Sequence, residues 1–343
     1  MLPRRMFRAM AVLLAIAGLV LTGCVSRTGN TGASAAPQTV ALSDLAGLTL
    51  HVGDQKGGTE SLLRAAGALD NLPYAVEFST FTSGPPQIEA ATAGKIDFAI
   101  TGNTPPIFGA ASGAKVKVVS AYNGGGVGDQ ILVPADSPIT SVADLRGKTI
   151  LVAKGSSAHG NVLGQLDKAG LTPADVKLVF LQPADALSAF RAGQADAWAI
   201  WDPYTAQAEQ QLKVRSIAAA KGVTNGYWFG VASDAALGDP KRNTALADLL
   251  VRFAKAVKWA QDNPALWAAK YAAAVGLDPK VAEVSQGRSL RLPTDLSDQV
   301  VASEQKLADL FAASGQIQSA PDFAKWVDRR YNDALKSSLI SAN

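Results

Sequence analysis

One stretch of this chain is written twice, and the two copies start 100 residues apart. Residues 44–50 return in closely similar form as residues 144–150, each copy beginning with an Asp-Leu pair, and residues 93–97 return as residues 192–196. The spacing is too long for a solenoid, whose repeats run to about 50 residues. It fits two similar lobes that each bury their own core. A cleft between two such lobes is where we expect a ligand to bind.

The composition narrows the classes of function. Hydrophobic residues make up 48% and charged residues 18% of the 343 residues, as in a globular protein with a large core. Beyond the extreme N-terminus the basic residues are scattered, which argues against nucleic acid as a partner. Two histidines and one cysteine leave little material for a zinc site, an iron–sulfur cluster or a disulfide. We therefore expect no metal and no cofactor.

The N-terminus is typical of a targeting segment. Basic residues precede a short apolar run, Ala9–Leu21, which is shorter than the about 20 residues of a membrane-spanning helix. The only cysteine, Cys24, ends a Leu-Thr-Gly-Cys sequence that resembles a bacterial lipobox. We predict a lipoprotein signal peptide over residues 1–23, a lipidated Cys24, and a flexible tether through residue 44. A plain signal peptide is the alternative, and the Arg4–Arg5 pair leaves twin-arginine export open.

Short apolar runs alternate with helical patterns in both copies of the repeat. This alternation predicts an α/β fold with mostly parallel sheets. After one returning strand the pattern is helical, ending in a helix over Pro321–Leu335. We expect lobe 1 to comprise residues 45–123 and 227–343, and lobe 2 to comprise residues 124–226. The glycine-rich crossing Gly124–Gly128 serves either as a hinge or as an ordinary loop.

Four loops follow predicted strands, at the edge where α/β sheets bind their ligands. They are small, rich in donors and placed to open a helix, where backbone N–H groups and the helix dipole favour an anion. Plain helix capping is the alternative, for which Thr59, Thr104 and Ser157 are suited without any ligand. The candidate ligand-binding residues from these loops are Gln55, Gly57, Gly58, Thr59, Ser83, Gly84, Gly102, Asn103, Thr104, Ser156, Ser157 and His159.

The aromatic run Ala197–Tyr204 is the most distinctive segment. Alternation along a strand sends Trp198 and Trp201 to opposite faces, so one side chain suits the core and the other the strand tip. Trp201, at the carboxyl end of the strand beside Asp202, is the better candidate for the cleft. Trp228, close to the second crossing between the lobes, is predicted to add another aromatic wall.

Two acidic residues occupy matching positions in the repeat. Asp97 and Asp196 each stand directly before a predicted strand, which favours a shared structural role over catalysis. No serine, histidine and acid are spaced as in a known nucleophile motif, and no paired carboxylates stand out. We therefore assign no catalytic residue.

With these segments in place, the chain resembles the substrate-binding proteins of bacterial ABC importers. It is most similar to the aliphatic sulfonate-binding branch of the nitrate/sulfonate/taurine family. The resemblance runs from about residue 48 to residue 232 and is carried by Gln55–Gly57, Thr101–Ile107, Lys154–His159 and Asp196–Tyr204. It implies a periplasmic-binding-protein-like fold of type II: two α/β lobes, a hinge and a helical C-terminal region.

The resemblance also implies a function. Such a protein is a monomeric receptor outside the cytoplasmic membrane that binds an aliphatic sulfonate in its cleft and delivers it to a permease. Two departures loosen the assignment of the solute, because Asn103 stands where sulfonate binders often carry aspartate and Ala158 replaces a serine of the pattern. Nitrate, taurine or a pyrimidine vitamin precursor are alternative cargoes, and Asp129 and Asp202 would then hold an ammonium group. An enzyme on the same fold is a further alternative, although such chemistry resembles sites rich in histidine and cysteine.

Overall fold

A computed structural model describes residues 38–289 and 291–339 of the chain. The predicted signal peptide, Cys24 and most of the predicted tether lie outside these residues. Residues 38–44 were assigned to the tether, but they are attached to the fold. The Val40 N–H donates to Thr244 Oγ1 at 3.0 Å, and the Asn243 amide donates to the Gln38 carbonyl at 3.0 Å. The folded part therefore begins before the predicted end of the tether.

Eleven strands form two separate sheets in the described residues. The first sheet contains β1 (Thr49–Gln55), β2 (Ala75–Phe81), β3 (Phe98–Gly102), β4 (Val116–Asn123), β10 (Tyr227–Ser233) and β11 (Leu292–Thr294). Its strand order is β11-β4-β10-β3-β1-β2, with β1, β2 and β3 parallel and β10 antiparallel to both of its neighbours. We call the residues packed around this sheet lobe 1.

The second sheet contains the strands between the two crossings. They are β5 (Gln130–Pro134), β6 (Thr149–Val152), β7 (Lys177–Phe180), β8 (Ala197–Ile200) and β9 (Val214–Ala219). Their order is β7-β6-β8-β5-β9, and we call the residues packed around this sheet lobe 2. In each lobe the first strand of the repeat lies between the other two repeated strands, as a pair of duplicated lobes requires.

Twelve α-helices accompany the strands in the described residues. They are α1 (Gly58–Ala65), α2 (Gly84–Thr92), α3 (Thr104–Ala111), α4 (Ser157–Lys168), α5 (Pro183–Arg191), α6 (Tyr204–Gln211), α7 (Asp234–Gly238), α8 (Pro240–Asp262), α9 (Pro264–Val275), α10 (Pro279–Arg288), α11 (Asp298–Ala313) and α12 (Asn332–Leu335). None of the described helices has the length and apolar character that crossing a bilayer requires.

Two short crossings, residues 124–129 and 220–226, join the sheets. They touch each other, since the Gly124 N–H donates to the Gly226 carbonyl at 3.0 Å. Gly226 has a φ of +66°, and a Cβ atom there would lie 2.8 Å from the backbone of Gly125. Only glycine satisfies both the left-handed conformation and this close approach. The two crossings therefore lie side by side between the two sheets.

Each sheet is packed in its own apolar core. In lobe 2 the fully buried Trp198 lies among Phe190 and the apolar residues of β5, β6 and β8. In lobe 1 one face of the sheet packs on α8 and α9, and the other face packs on α3 and α11. The prediction that one tryptophan of the aromatic run belongs to the core is confirmed for Trp198.

The structure also confirms the structural role of the matched acids. Asp97 Oδ2 accepts the His51 N–H at 2.8 Å, and Asp196 Oδ2 accepts the Thr149 N–H at 2.8 Å. Each carboxylate therefore binds the backbone of the first strand in its own repeat. This equivalence explains why both copies keep an aspartate here.

Some elements differ from the prediction. Strands β9 and β11 and helix α7 were not expected, and the helix predicted over Pro321–Leu335 is wrong. That segment holds a 3₁₀ turn at Phe323–Trp326 and the short α12. Between them the chain is extended, because Val327 bridges to Val118 and the Asp328 N–H donates to the Val118 carbonyl at 2.9 Å. Pairing with strand β4 outweighs the local helical preference.

Candidate functional site

The four predicted loops meet in one cleft between the lobes. A small cavity of about 210 Å³ there, open space at its mouth included, is lined by Gln55, Gly84, Gly102, Pro105, Ser156, Ser157, Trp201 and Trp228. Every loop contributes at least one of these residues. A larger cavity of about 650 Å³, open space at its mouth included, shares Gln55, Trp201 and Trp228 with the first. We call the two adjoining cavities the cleft.

The lobes are closed on each other around this cleft. A Cβ atom at Gly102 in lobe 1 would lie only 3.0 Å from Ser157 Cβ in lobe 2. Below it, Gly155 in lobe 2 packs on the Phe108 ring, where a Cβ would lie 3.2 Å away. Glycine at 102 and 155 therefore lets the two backbones approach closely.

Three helices begin beside this region. Helix α2 begins at Gly84 and is followed by Pro85 and Pro86. Helix α3 begins at Thr104 and is also followed by two prolines. Because proline has no N–H, each of these helices presents only one backbone donor in its first three positions. Helix α4 presents the N–H groups of both Ser157 and Ala158.

Capping occupies some of the predicted donors. The Thr59 N–H donates to the buried Asp54 carboxylate at 2.8 Å, so it serves the start of α1. Ser156 Oγ accepts the His159 N–H at 3.3 Å and donates to the Ala153 carbonyl at 2.7 Å. The N-cap residues of α1, α3 and α4 are Gly57, Asn103 and Ser156, so the alternative capping role is wrong for Thr59, Thr104 and Ser157.

A residue that the sequence analysis missed supplies positive charge to the cleft. Arg291 lines the larger cavity, and its guanidinium carbon lies 4.1 Å from the ring centre of Trp228. It also faces the start of α1, since a Cβ atom at Gly58 would lie 3.6 Å from Arg291 Nη2. Cation–π contact of this kind is worth about 0.5–2 kcal/mol. Trp228 therefore holds the guanidinium in place from one face.

The charge of Arg291 has little compensation. Among the residues that the structure describes, no carboxylate is within ion-pair distance of its guanidinium and no side chain or backbone group accepts a hydrogen bond from it. Burial lowers the pKa of Arg291, and the nearby Asp54 and Tyr271 act against that shift. Burial also raises the pKa of Asp54, which weakens its negative charge. A bound anion would stabilise Arg291 in its charged form.

Asp129 lies next to the cleft residue Ser157 and is hydrogen-bonded to it. Ser157 Oγ donates to Asp129 Oδ1 at 2.6 Å, and the Asp129 carboxyl is almost fully buried. Burial raises the pKa of Asp129 to about 7; the Ser157 hydrogen bond opposes the rise and the charge of Asp202 adds to it. The Ser157 hydroxyl can donate to a ligand only when Asp129 carries a proton and donates to Ser157 in turn.

Asp202 belongs to an ion-pair network between the lobes. Arg288 at the end of α10 in lobe 1 contacts Asp202 Oδ2 at 2.7 Å and Glu209 Oε2 at 2.8 Å, both in lobe 2. Ser289 Oγ donates to the same Asp202 carboxylate at 2.9 Å. Arg288 and Ser289 satisfy the Asp202 carboxylate, so an ammonium group of a ligand would have to compete with a guanidinium. We call the ion pairs of Arg288 with Asp202 and Glu209 the latch.

Three further candidates do not line either cavity and make hydrogen bonds within the protein. The Asn103 amide donates to Asn225 Oδ1 at 2.9 Å, next to the second crossing, and Thr104 Oγ1 donates to Asn103 Oδ1 at 3.1 Å. Ser83 Oγ donates across the lobes to Gln182 Oε1 at 3.0 Å. These side-chain donors are engaged within the protein, and the expectation that Asn103 and Thr104 donate to an anion stays a prediction.

His159 and Gly57 also make contacts within the protein that the fold requires. His159 Nδ1 accepts the Gly155 N–H at 3.2 Å, and its ring lies 5.3 Å from Phe180 and 5.1 Å from Phe311, centre to centre. Burial, with the positive charge of Lys154, lowers the pKa of His159 to about 4. Gly57 has a φ of +72°, and a Cβ there would lie 2.5 Å from Val275. The fold therefore needs both residues whether or not a ligand is present.

The sequence offered one weak signal for Arg291. It follows Arg288 by three residues, and Arg288 contacts Asp202, which lines the larger cavity together with Arg291. Only the antiparallel pairing of β11 with β4 brings Arg291 to Trp228, and that short strand has no sequence pattern of its own. Strand β11 lies outside the duplicated segments, so the repeat could not predict its pairing with β4.

Comparison with known proteins identifies the family. The family described as "ABC transporter, phosphonate, periplasmic substrate-binding protein" matches residues 69–279. A relative from Escherichia coli (strain K12), named as an aliphatic sulfonates-binding protein, is 35% identical over 267 residues, covering 76% of this chain and 83% of the relative. A relative of the same name from Bacillus subtilis (strain 168) is 34% identical over 269 residues, covering 77% of this chain and 78% of the relative.

A solved structure extends the likeness to the fold. The alkanesulfonate-binding protein SsuA from Xanthomonas axonopodis pv. citri, bound to MOPS, matches with a TM-score of 0.77 and 31% identity, covering 83% of this chain and 99% of that chain. The periplasmic-binding-protein-like fold expected from the sequence is thereby confirmed. The chain belongs to the periplasmic substrate-binding proteins of ABC transporters.

Proposed function

We propose that this protein is the extracytoplasmic receptor of an ABC importer and that it binds aliphatic sulfonates in the cleft. The observation that carries the proposal is Arg291, a cationic side chain without an ion-pair partner among the described residues, which faces the start of α1 inside the cleft. Relatives that share about a third of their residues with this chain are named for binding aliphatic sulfonates.

The chemistry of a sulfonate suits these groups. A sulfonate is ionised at any biological pH, and its oxygens only accept hydrogen bonds. The guanidinium of Arg291 and the first N–H groups of α2 and α4 are donors with no lone pair to repel it. Gln55, Gly58, Gly84, Gly102, Ser157, Trp201 and Trp228 stay our predicted contact residues, because they line the cavities. Charge-assisted bonds to such an anion are about twice as strong as neutral ones.

We further propose that the two lobes move as units. Their assignment to residues 45–123 with 227–343 and to residues 124–226 is supported by the membership of the two sheets. The two crossings join the sheets, and the latch together with the packing of α4 against α3 and α11 holds the lobes together in the closed form. Opening at the crossings would release the ligand to the permease.

We propose that the mature chain is exported and anchored through a diacylglyceryl group on Cys24. The basic, apolar and lipobox-like sequences of residues 1–24 support this assignment. Two acyl chains suffice for stable anchoring, where one would be marginal. We propose a monomer that leaves its ligand chemically unchanged, in keeping with relatives that are named as binding proteins.

Phosphonates are the second candidate class, since the family match is described by that ligand. A phosphonate is a near-isostere of a sulfonate, but it carries a hydroxyl proton or a second negative charge near neutral pH. Asp129 is the group that would accept such a proton, yet it is already bonded to Ser157. Taurine is less suited, because Asp202 is satisfied by Arg288 and Ser289.

Calorimetric titration of the purified protein, freed of copurified ligand, tests the proposal. The panel contains butanesulfonate, butylphosphonate, taurine, sulfate and nitrate. We expect butanesulfonate to bind most tightly. Tighter binding of butylphosphonate would replace the proposed solute by the second candidate, and no heat with any alkanesulfonate would refute the sulfonate proposal. Recovery of unchanged ligand after long incubation is expected for a receptor, and conversion would contradict it.

A further inference from the structure

Helix α4 of lobe 2 approaches lobe 1 most closely at Gly160. A Cβ atom there would lie 2.6 Å from Thr104 Oγ1 and 3.7 Å from the two terminal methyl carbons of Leu307. Thr104 begins α3 and Leu307 lies in α11, so these nearest atoms all belong to lobe 1. Because real Cβ contacts essentially never fall below 3.0 Å, a side chain at position 160 does not fit while the lobes are closed.

The Thr104 side chain cannot move aside at low cost. It is fully buried, and its hydroxyl donates to Asn103 Oδ1 at 3.1 Å. A β-branched side chain has little freedom about its first torsion, and turning the hydroxyl away from Gly160 would break this buried hydrogen bond. The surface that Gly160 meets on lobe 1 is therefore rigid.

The hydrogen bonds continue from Asn103 to the second crossing and to α11. The Asn103 amide donates to Asn225 Oδ1 at 2.9 Å, and the Asn225 amide donates to Glu304 Oε2 at 2.6 Å. The Tyr227 N–H also donates to Asn225 Oδ1, at 3.2 Å. Glu304 is fully buried, and burial raises the pKa of its carboxyl well above the usual range. We call Thr104, Asn103, Asn225 and Glu304 the polar seat, which links the Gly160 contact to the second crossing.

From these contacts we infer that Gly160 fixes the angle to which the two lobes close. Lobe 2 comes to rest on the polar seat through the backbone of α4, and any side chain at position 160 would stop closure earlier. The small cavity lies at the starts of α3 and α4, where Gly102 and Ser157 line it. The closing angle therefore sets the distance between the predicted donors of the two lobes. The inference rests on the lobe motion in the proposed function and holds for any solute.

A methyl group at position 160 should oppose closure without opposing folding. Alanine has a higher helix propensity than glycine, and the backbone of Gly160 is not in the left-handed region that would exclude it. The overlap arises with lobe 1 alone, so the lobes relieve it by opening. Gly109 in α3 provides a matched control, because a Cβ atom there would lie 2.8 Å from Ile88 in the same lobe. That overlap persists whether the lobes are open or closed.

Disulfide trapping measures closure without any ligand. A Cβ atom at Gly102 would lie 3.0 Å from Ser157 Cβ across the cleft, so the pair Gly102→Cys and Ser157→Cys can be oxidised only when the lobes meet. With Cys24→Ala as background, the rate of disulfide formation at a fixed oxidant concentration reports the closed population. We expect Gly160→Ala to lower this rate about ten- to a hundredfold, which is the range for overpacking, and Gly109→Ala to leave it within about twofold.

A compensating variant ties the effect to the Gly160 contact. Thr104→Ala removes the hydroxyl that the added methyl group meets, so combining it with Gly160→Ala should restore the rate to that of Thr104→Ala alone. Urea denaturation should give Gly160→Ala a free energy of unfolding no lower than that of wild type, and Gly109→Ala a lower one. Without the cysteine pair, Gly160→Ala should weaken butanesulfonate binding by the same factor as it lowers the closed population.

Three results would overturn the inference. They are a wild-type trapping rate in Gly160→Ala, a lowered rate that Thr104→Ala does not restore, and loss of folding in Gly160→Ala. The last counts against it because the overlap is assigned to the closed lobes alone. Failure of every sulfonate to bind would remove the proposed solute but leave the trapping test valid, because that test contains no ligand.

Discussion

Replacing Arg291 by methionine should weaken sulfonate binding strongly but leave the free energy of unfolding nearly unchanged. Methionine keeps much of the side-chain length and removes the charge and all donors. Because no described residue accepts a hydrogen bond from Arg291, a bound sulfonate is free to take two of its N–H groups. Each charge-assisted bond is worth about 1.5 kcal/mol at the low end, which sums to about 3 kcal/mol, or an about 150-fold weaker Kd.

The stability of the ligand-free protein should change little in this variant. Loss of the contact with Trp228, about 1 kcal/mol, opposes the relief of a partly buried and poorly compensated charge. We expect the free energy of unfolding, measured by urea denaturation, to stay within about 1 kcal/mol of wild type. Arg291→Lys should show an intermediate loss of affinity, since lysine keeps the charge but not the planar fork.

Arg252 provides the control for removing a positive charge from lobe 1. It contacts Asp248 at 2.7 Å and donates to the Ala68 carbonyl at 3.0 Å, so its donors serve the fold. Arg252→Met should therefore lower the free energy of unfolding and leave calorimetric affinity unchanged. Binding by Arg291→Met within about threefold of wild type, well short of the tenfold that 1.4 kcal/mol represents, would refute the assignment of Arg291 to the anion.

Three further outcomes are expected. Burial raises the pKa of Asp129 to about 7 in the ligand-free protein. A bound anion raises this pKa further, because it disfavours the negative carboxylate. Above about pH 7 the binding of the anion is therefore coupled to the uptake of one proton by Asp129. Calorimetric affinity should be constant below about pH 6 and fall by up to about tenfold per pH unit above about 7; the slope should vanish in Asp129→Asn. Arg288→Gln breaks the latch and should speed ligand release in stopped-flow fluorescence; an unchanged rate would show that the latch does not hold the closed form. Cys24→Ala should move the protein from the membrane to the soluble fraction in cell fractionation; continued sedimentation with membranes would contradict lipidation.

The sequence was most informative where local pattern and duplication agreed. The matched strands, the crossings and the convergence of four loops all follow from the repeat and from the rule that ligands sit at the carboxyl ends of strands. Both tryptophans of the aromatic run are buried with the core of lobe 2, and Trp201, just beyond the end of β8, also lines both cavities, as its place at the strand tip predicted. These features depend on local periodicity, which a single sequence displays.

The rest depends on long-range pairing that a single sequence does not display. Asn103 was expected to face an anion, but it bonds to Asn225, which is 122 residues away. Arg291 reaches the cleft only because β11 pairs with β4. The end of the tether was misjudged for the same reason, since Val40 bonds to Thr244 in a helix 204 residues later. Residue type gave the right chemistry in these cases, and only the fold assigns each group its partner.

A comparison of butanesulfonate with butyl methyl sulfone tests the central claim most directly. The two molecules have nearly the same shape and tail, but the sulfone is neutral. Their difference in affinity therefore measures how much the negative charge contributes to the binding free energy. With two charge-assisted bonds from Arg291 and further N–H groups at the helix starts, we expect the sulfonate to bind at least about 100-fold more tightly, or about 2.7 kcal/mol. Equal affinity for the two compounds would contradict an anion site at Arg291.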